Sequence, residues 1–111
     1  MALFQLQRAA RLADLAIGLP TAVTLPDGQR VCLVRDGERV YAVIDSCTHK
    51  GFAISGGDMV GPCVLECPWH GARFDVRTGR ATHGPATEDL TTLSVRVIGE
   101  EIFVGPRSTK L

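Results

Sequence analysis

The stretch "RVCLVRDGERVYAVIDSCTHKG", Arg30 to Gly51, decides how this chain folds. Two apolar runs rich in valine flank Asp36-Gly37, and Asp-Gly between such runs is among the strongest short-range signals for a β-hairpin. The second run leads directly into Cys47-Thr48-His49. A cysteine and a histidine therefore sit in a loop at the end of a strand, on a rigid frame.

The same grammar recurs outward in both directions. Before the hairpin comes "TAVTL", Thr21 to Leu25, followed by Asp27-Gly28; near the end "LSVRVI", Leu93 to Ile98, meets "EIFVG", Glu101 to Gly105, across Gly99. The expected fold is all-β, an antiparallel sandwich or barrel, with a loop-rich insert over roughly 46–90. The one helical hint is "RAARLADLAI", Arg8 to Ile17, which Gly18 and Pro20 end quickly, so one turn or a short helix is expected there. At 111 residues the chain reads as one domain, 1–111, able to bury its own core without disulfides. Only the last residues, "RSTKL", are expected to fray.

Charge narrows the partners. Lys plus Arg and Asp plus Glu both total 12, so no basic field draws the chain to nucleic acid or to an anionic membrane. The opening twenty residues are broken by Gln5, Gln7, Arg8, Arg11 and Asp14, which leaves neither the apolar core of a signal peptide nor the length of a membrane span. A cytoplasmic location is expected, and in a reducing compartment four cysteines more often bind metal or pack than form disulfides.

A second loop, "CPWHG" from Cys67 to Gly71, matches the first. The pattern is Cys47-x-His49 and Cys67-x-x-His70, each beside a glycine. Two thiolates and two imidazoles suit tetrahedral zinc or an iron–sulfur cluster, and ligand type alone does not separate these. Zinc fingers of the two-cysteine, two-histidine kind put both cysteines in one knuckle and both histidines on one helix, whereas here each loop gives one of each. That division fits a binuclear centre in which each loop reaches both metals. Pro68 takes the favoured second position of a turn, and Gly51 and Gly71 allow close backbone approach to inorganic sulfide. The competing reading, buried cysteines beside ordinary surface histidines, needs two coincidences at matched spacing.

The two motifs, with glycine closing each loop, resemble those of the Rieske [2Fe-2S] proteins, and the similarity spans nearly the whole chain. "VYAVIDSCTH" and "RFDVRTGRA" resemble the small Rieske ferredoxins of bacterial aromatic-ring oxygenases. The resemblance implies a Rieske-type β-sandwich or barrel with a cluster-binding subdomain. It also implies that Cys47 and Cys67 bind the inner iron and His49 and His70 the outer one. Neutral imidazoles leave the outer iron easier to reduce than thiolates would. The implied role is a monomeric one-electron carrier with no turnover of its own. It would dock transiently with a flavin-dependent reductase and with a terminal oxygenase of aromatic compounds. Two alternatives stand beside it: the small Rieske subunit of a nitrite reductase and, from another class, a structural zinc module for protein interaction.

Several positions depart from high-potential Rieske proteins. Phe52 and Trp69 stand where those proteins carry a disulfide pair, and Ala72 and Phe74 stand where they carry Ser and Tyr hydroxyls that donate to sulfur. A low potential is expected. Lys50, Phe52, Trp69 and Pro85 are the candidates for shielding the cluster or contacting a partner, with Gly84-Pro85 resembling the family's third, covering loop. Cys32, inside an apolar run, reads as a small hydrophobe, and Gly61-Pro62 places Cys63 in a separate turn, so both read as structural. His83 has no partner at ligand spacing and reads as a surface histidine.

Overall fold

The computed structural model describes residues 6–48, 51–68, 71–84 and 88–107. Asp36-Gly37 turns the chain as its sequence signals: β3 (Arg30–Asp36) pairs antiparallel with β4 (Arg39–Ile44), Cys32 opposite Val43 and Leu33 opposite Ala42. With β1 (Gln7–Arg11), β2 (Thr21–Thr24), β9 (Thr92–Ile98) and β10 (Glu101–Arg107) they form one antiparallel sheet in the order β1-β10-β9-β4-β3-β2. The sheet curls until its two edges meet. Gln7 of β1 donates from Nε2 to Asp27 Oδ2 at 2.9 Å, and the Asp27 amide donates back to Gln7 Oε1 at 2.9 Å. The contact bridges the two edges of the sheet, β1 and β2, which share no ladder pairing among the described residues.

Between β4 and β9 the chain leaves this sheet and builds a second one. There β5 (Asp58–Gly61), β6 (Val64–Glu66), β7 (Arg73–Asp75) and β8 (Ala81–His83) form an antiparallel meander in sequence order. The middle expected to be rich in loops thus has its own small scaffold of three- and four-residue strands.

The helical hint near the start is met only in part. Leu12–Asp14 makes a single 3-10 turn, while Gln7–Arg11 is strand, paired along β10. A helix so short is marginal in water, and the strand gains ladder hydrogen bonds while Ala9, Ala10 and Leu12 pack on the barrel core.

The β3–β4 hairpin is a wall between two cores. Val31, Leu33, Val40 and Ala42 point into the barrel with Ile102 and Val104, whereas Cys32, Val34 and Val43 point the other way, onto Leu65, Cys67 and Phe74. Both faces being covered, "RVCLVR" shows no apolar-polar alternation, as expected for a strand buried on both sides. Each fully buried Val, Leu or Phe side chain contributes on the order of 1.5–3 kcal/mol, so the second core holds the insert firmly to the barrel. Cys32 is fully buried within it, as its sequence context suggests.

Candidate metal centre

Two loops of the insert carry the candidate ligands, and they are built alike. In the first, the Cys47 amide donates to the Phe52 carbonyl at 2.7 Å, and the Gly51 amide donates to the Cys47 carbonyl at 2.6 Å. In the second, the Cys67 amide donates to the Ala72 carbonyl at 2.7 Å. Each loop turns at a glycine four positions after its cysteine, Gly51 at φ 76° and Gly71 at φ 74°, backbone that only glycine adopts without strain. The paired histidines, His49 and His70, lie outside the described residues, as do Lys50, Trp69 and Pro85.

The structure brings the two cysteines together. Cys47 and Cys67 are 1% and 2% exposed and belong to one buried cluster with Ile54, Leu65, Ala72 and Phe74. None of the four cysteines is in a disulfide. Two reduced thiols, presented by equivalent loops into one apolar core, match what the inner half of a binuclear iron site asks of a protein. The apolar surround would keep bulk water from the metal. Ala72 and Phe74, fully buried in the same cluster, offer it no hydroxyl.

A family comparison bears directly on this arrangement, since the Rieske [2Fe-2S] domain matches residues 5–104. The chain belongs to that family. Its cofactor is the Rieske [2Fe-2S] cluster, and the two buried thiols fit the group. Over 96 residues, 86% of this chain and 89% of the relative, it is 35% identical to the 3-phenylpropionate/cinnamic acid dioxygenase ferredoxin subunit of Shigella boydii serotype 4 (strain Sb227). Among solved structures it resembles the ferredoxin of carbazole 1,9a-dioxygenase from Nocardioides aromaticivorans IC177, with TM-score 0.86 and 40% identity. That match covers 92% of this chain and 98% of the other. A chain in the complex of reduced oxygenase and oxidized ferredoxin in carbazole 1,9a-dioxygenase also matches, with TM-score 0.86, 28% identity and coverage of 96% and 98%.

Beside the Rieske loops, the remaining sequence candidates fall as follows. Phe52 is 43% exposed, so the first loop presents an aromatic ring to solvent. His83 is exposed on β8. Cys63 sits in the β5–β6 turn with φ 59°, donating from Sγ to Asp36 Oδ2 at 3.5 Å. Burial first, and then this contact with Asp36, push its thiol pKa up, which makes it a poor thiolate ligand.

Three supporting features lie beyond local sequence patterns. Thr48, between the candidate ligands Cys47 and His49, donates from Oγ1 to the Glu88 carbonyl at 2.7 Å and so ties the first loop to the third. The Ala81 amide donates to Asp89 Oδ1 at 2.9 Å, and the Leu90 amide to the Gly79 carbonyl at 2.7 Å, which fixes the third loop's far end. Gly57 lies so close to the Glu66 carbonyl that a Cβ would collide with it. The end of the first loop is thereby pressed against the residue before Cys67. A second glycine after Gly56 was the only signal in the sequence.

Proposed function

We propose that this chain is an electron-transfer ferredoxin that delivers one electron to a terminal Rieske non-haem iron oxygenase acting on aromatic compounds. The observation that carries the reading is the pair of matched loops with buried Cys47 and Cys67, in a chain that covers 98% of the carbazole 1,9a-dioxygenase ferredoxin of Nocardioides aromaticivorans IC177. The electron's source is a flavin-dependent reductase. The chain works as a monomeric single domain, in the cytoplasm, and turns over no substrate itself. Among the described residues no helix is long and apolar enough to cross a membrane, which is consistent with a diffusing carrier.

In this proposal Cys47 and Cys67 hold the inner iron, and His49 and His70 hold the outer one. The cluster supplies one reversible electron. The chain contributes a dry seat made by Ile54, Leu65 and Phe74, and loops locked by their own backbone bonds. Fixed geometry of this kind keeps reorganisation small when charge changes. Phe52, with Lys50, Trp69 and Pro85, forms the docking face, and transient redox partners use small interfaces of this sort.

The first experiment is electron spin resonance on the purified, dithionite-reduced protein. A rhombic Rieske signal is expected, and a colourless, silent, zinc-containing protein would overturn the proposal. The second is His70→Cys, which should retain iron but lower the potential because a thiolate adds negative charge to the reducible iron. A potential at or above wild type would remove His70 from the ligand set. For the docking face, Phe52→Ala should slow reduction of the oxygenase, and Lys50→Glu should slow transfer most at low ionic strength. Unchanged rates with both partners would place the face elsewhere.

A further inference from the structure

Immediately before the first ligand loop stands an acid that the electron-carrier reading does not use. Asp45 follows the last residue of β4, and its side chain is fully buried. Its amide donates to the Arg30 carbonyl at 3.2 Å, continuing the β3–β4 ladder by one step. Its two carboxylate oxygens are both engaged. Oδ1 accepts from the Ser55 amide at 2.8 Å, Oδ2 accepts from the Ser55 hydroxyl at 2.7 Å, and the half-exposed Arg30 guanidinium lies 3.5 Å from Oδ2.

Ser55 belongs to the 3-10 turn Ile54–Gly56, which ends the first ligand loop and leads through Gly57 to β5. Asp45 and Ser55 therefore bracket the loop, one at its entry and one at its exit. The two bonds between them close residues 46–54 into a ring anchored to the barrel. Buried charge of this sort is costly unless it is paired and hydrogen-bonded, so a plain turn would be better served by a neutral side chain. The carboxylate's field also reaches the core that holds both ligand cysteines: it is the second cause, after burial, of the upward push on the Cys32 thiol.

We infer that Asp45 is a positioning residue for the cluster. Clamped by Ser55, it fixes the first ligand loop, and its charge, two residues from Cys47, holds the reduction potential down. The inference rests on the ligand reading given above. An electron arriving at the cluster meets a buried negative charge whose only cationic partner, among the described residues, is the solvent-facing Arg30. Negative charge near a cluster disfavours its reduced, more negative state. This charge adds to the missing hydroxyls at Ala72 and Phe74, and both drive the potential in the same direction.

Three variants separate the clamp from the charge. Asp45→Asn keeps the shape and both kinds of contact to Ser55, an amide oxygen for the backbone and an amide N–H for the hydroxyl, but removes the charge. Ser55→Ala keeps the charge and removes one bond of the clamp. Asp45→Glu keeps the charge and displaces it. Protein-film voltammetry and the rate of cluster bleaching at raised temperature are read for each, after electron spin resonance has established the Rieske signal in wild type. If that signal is absent, the ligand reading has failed, and the failure is distinct from that of this inference. The expected results are a raised potential for Asp45→Asn with a bleaching rate within about twofold of wild type. Ser55→Ala and Asp45→Glu should leave the potential close to wild type and bleach several-fold faster. A wild-type potential in a folded, cluster-bearing Asp45→Asn would overturn the electrostatic role. Wild-type bleaching in both Ser55→Ala and Asp45→Glu would overturn the clamp.

Discussion

Cys47 and Cys67 occupy the same place in two loops of one design: each amide donates 2.7 Å to a carbonyl five residues on, Phe52 for the first and Ala72 for the second. Each loop then depends on a glycine with positive φ, and among the described residues a Cβ at either would meet nothing nearer than the Ser46 hydroxyl at 4.0 Å from Gly51. An alanine there is opposed by backbone conformation, about 1–2 kcal/mol. Gly51→Ala and Gly71→Ala should each lower the melting temperature and speed loss of visible absorbance on heating, by similar amounts. A large difference between the two would show that the loops are not energetically equivalent.

Gly57 is constrained by space instead. A methyl group there meets the Glu66 carbonyl, which is backbone and cannot rotate away. Gly57→Ala should cost about 1–3 kcal/mol, at the upper end because the clash is with main chain. Because Glu66 precedes Cys67, the variant should also bind less iron per chain, measured by iron and sulfide assay on freshly purified protein. Full iron content with an unchanged melting temperature would contradict the close approach.

The potential should lie near the bottom of the family span of roughly −150 to +300 mV. Ala72 and Phe74 are both fully buried and offer sulfur no hydroxyl. Hydrogen bonds to charged groups are worth roughly 1.5–3 kcal/mol and only the difference between redox states counts. Ala72→Ser with Phe74→Tyr should therefore raise the potential by on the order of 100 mV. Voltammetry on wild type and the double variant decides it; a wild-type value well above zero, or no rise, would refute the account.

Acid should weaken the β7–β8 turn. Arg77 donates from Nε and Nη2 to the Asp75 carboxylate at 3.0 and 2.8 Å, and this side-chain pairing is the chief reason the Asp75 pKa lies below its ordinary 3.8. A depressed carboxyl stabilises the fold fully above its unfolded pKa and loses that contribution as pH falls through its folded value. With Arg77 half-exposed, solvent screens the pair and its contribution is small. Asp75→Asn should be slightly less stable than wild type at neutral pH, and the gap should close below pH 3.8, in urea unfolding at matched pH. A gap that persists in acid would assign the difference to the turn's backbone bonds.

Cys32 should be chemically silent. Burial first, and then the Asp45 carboxylate, push its thiol up to about 12. Since the thiolate is the reacting species, iodoacetamide at about pH 8 should leave Cys32 unlabelled in the native protein and label it after unfolding, read by mass spectrometry. Labelling of the native form at the rate of a free thiol would contradict its burial.

Much of this was written locally. Asp27-Gly28, Asp36-Gly37 and Gly99 each mark a hairpin that the structure forms, and the spacing of Cys47, His49, Cys67 and His70 points to the proposed cluster site. These signals are legible because a turn and a loop depend on a few consecutive residues. The start of the chain was less so: Arg8–Ile17 carries a helical hint, and pairing with β10 makes Gln7–Arg11 a strand.

The sequence by itself determined the strand runs, the turns between them and the two motifs that carry the proposed ligands. Tertiary structure alone decided which side of each strand faces which core. Cys32 and Leu33 are adjacent and equally apolar, yet one packs behind the cluster loops and the other in the barrel, because strand side chains alternate and both faces of β3 are covered. It also decided that Asp45 meets Ser55, ten residues on, and that Thr48 meets Glu88, forty on. Such contacts depend on how the insert folds back on the barrel, a relation between distant segments that no local pattern encodes.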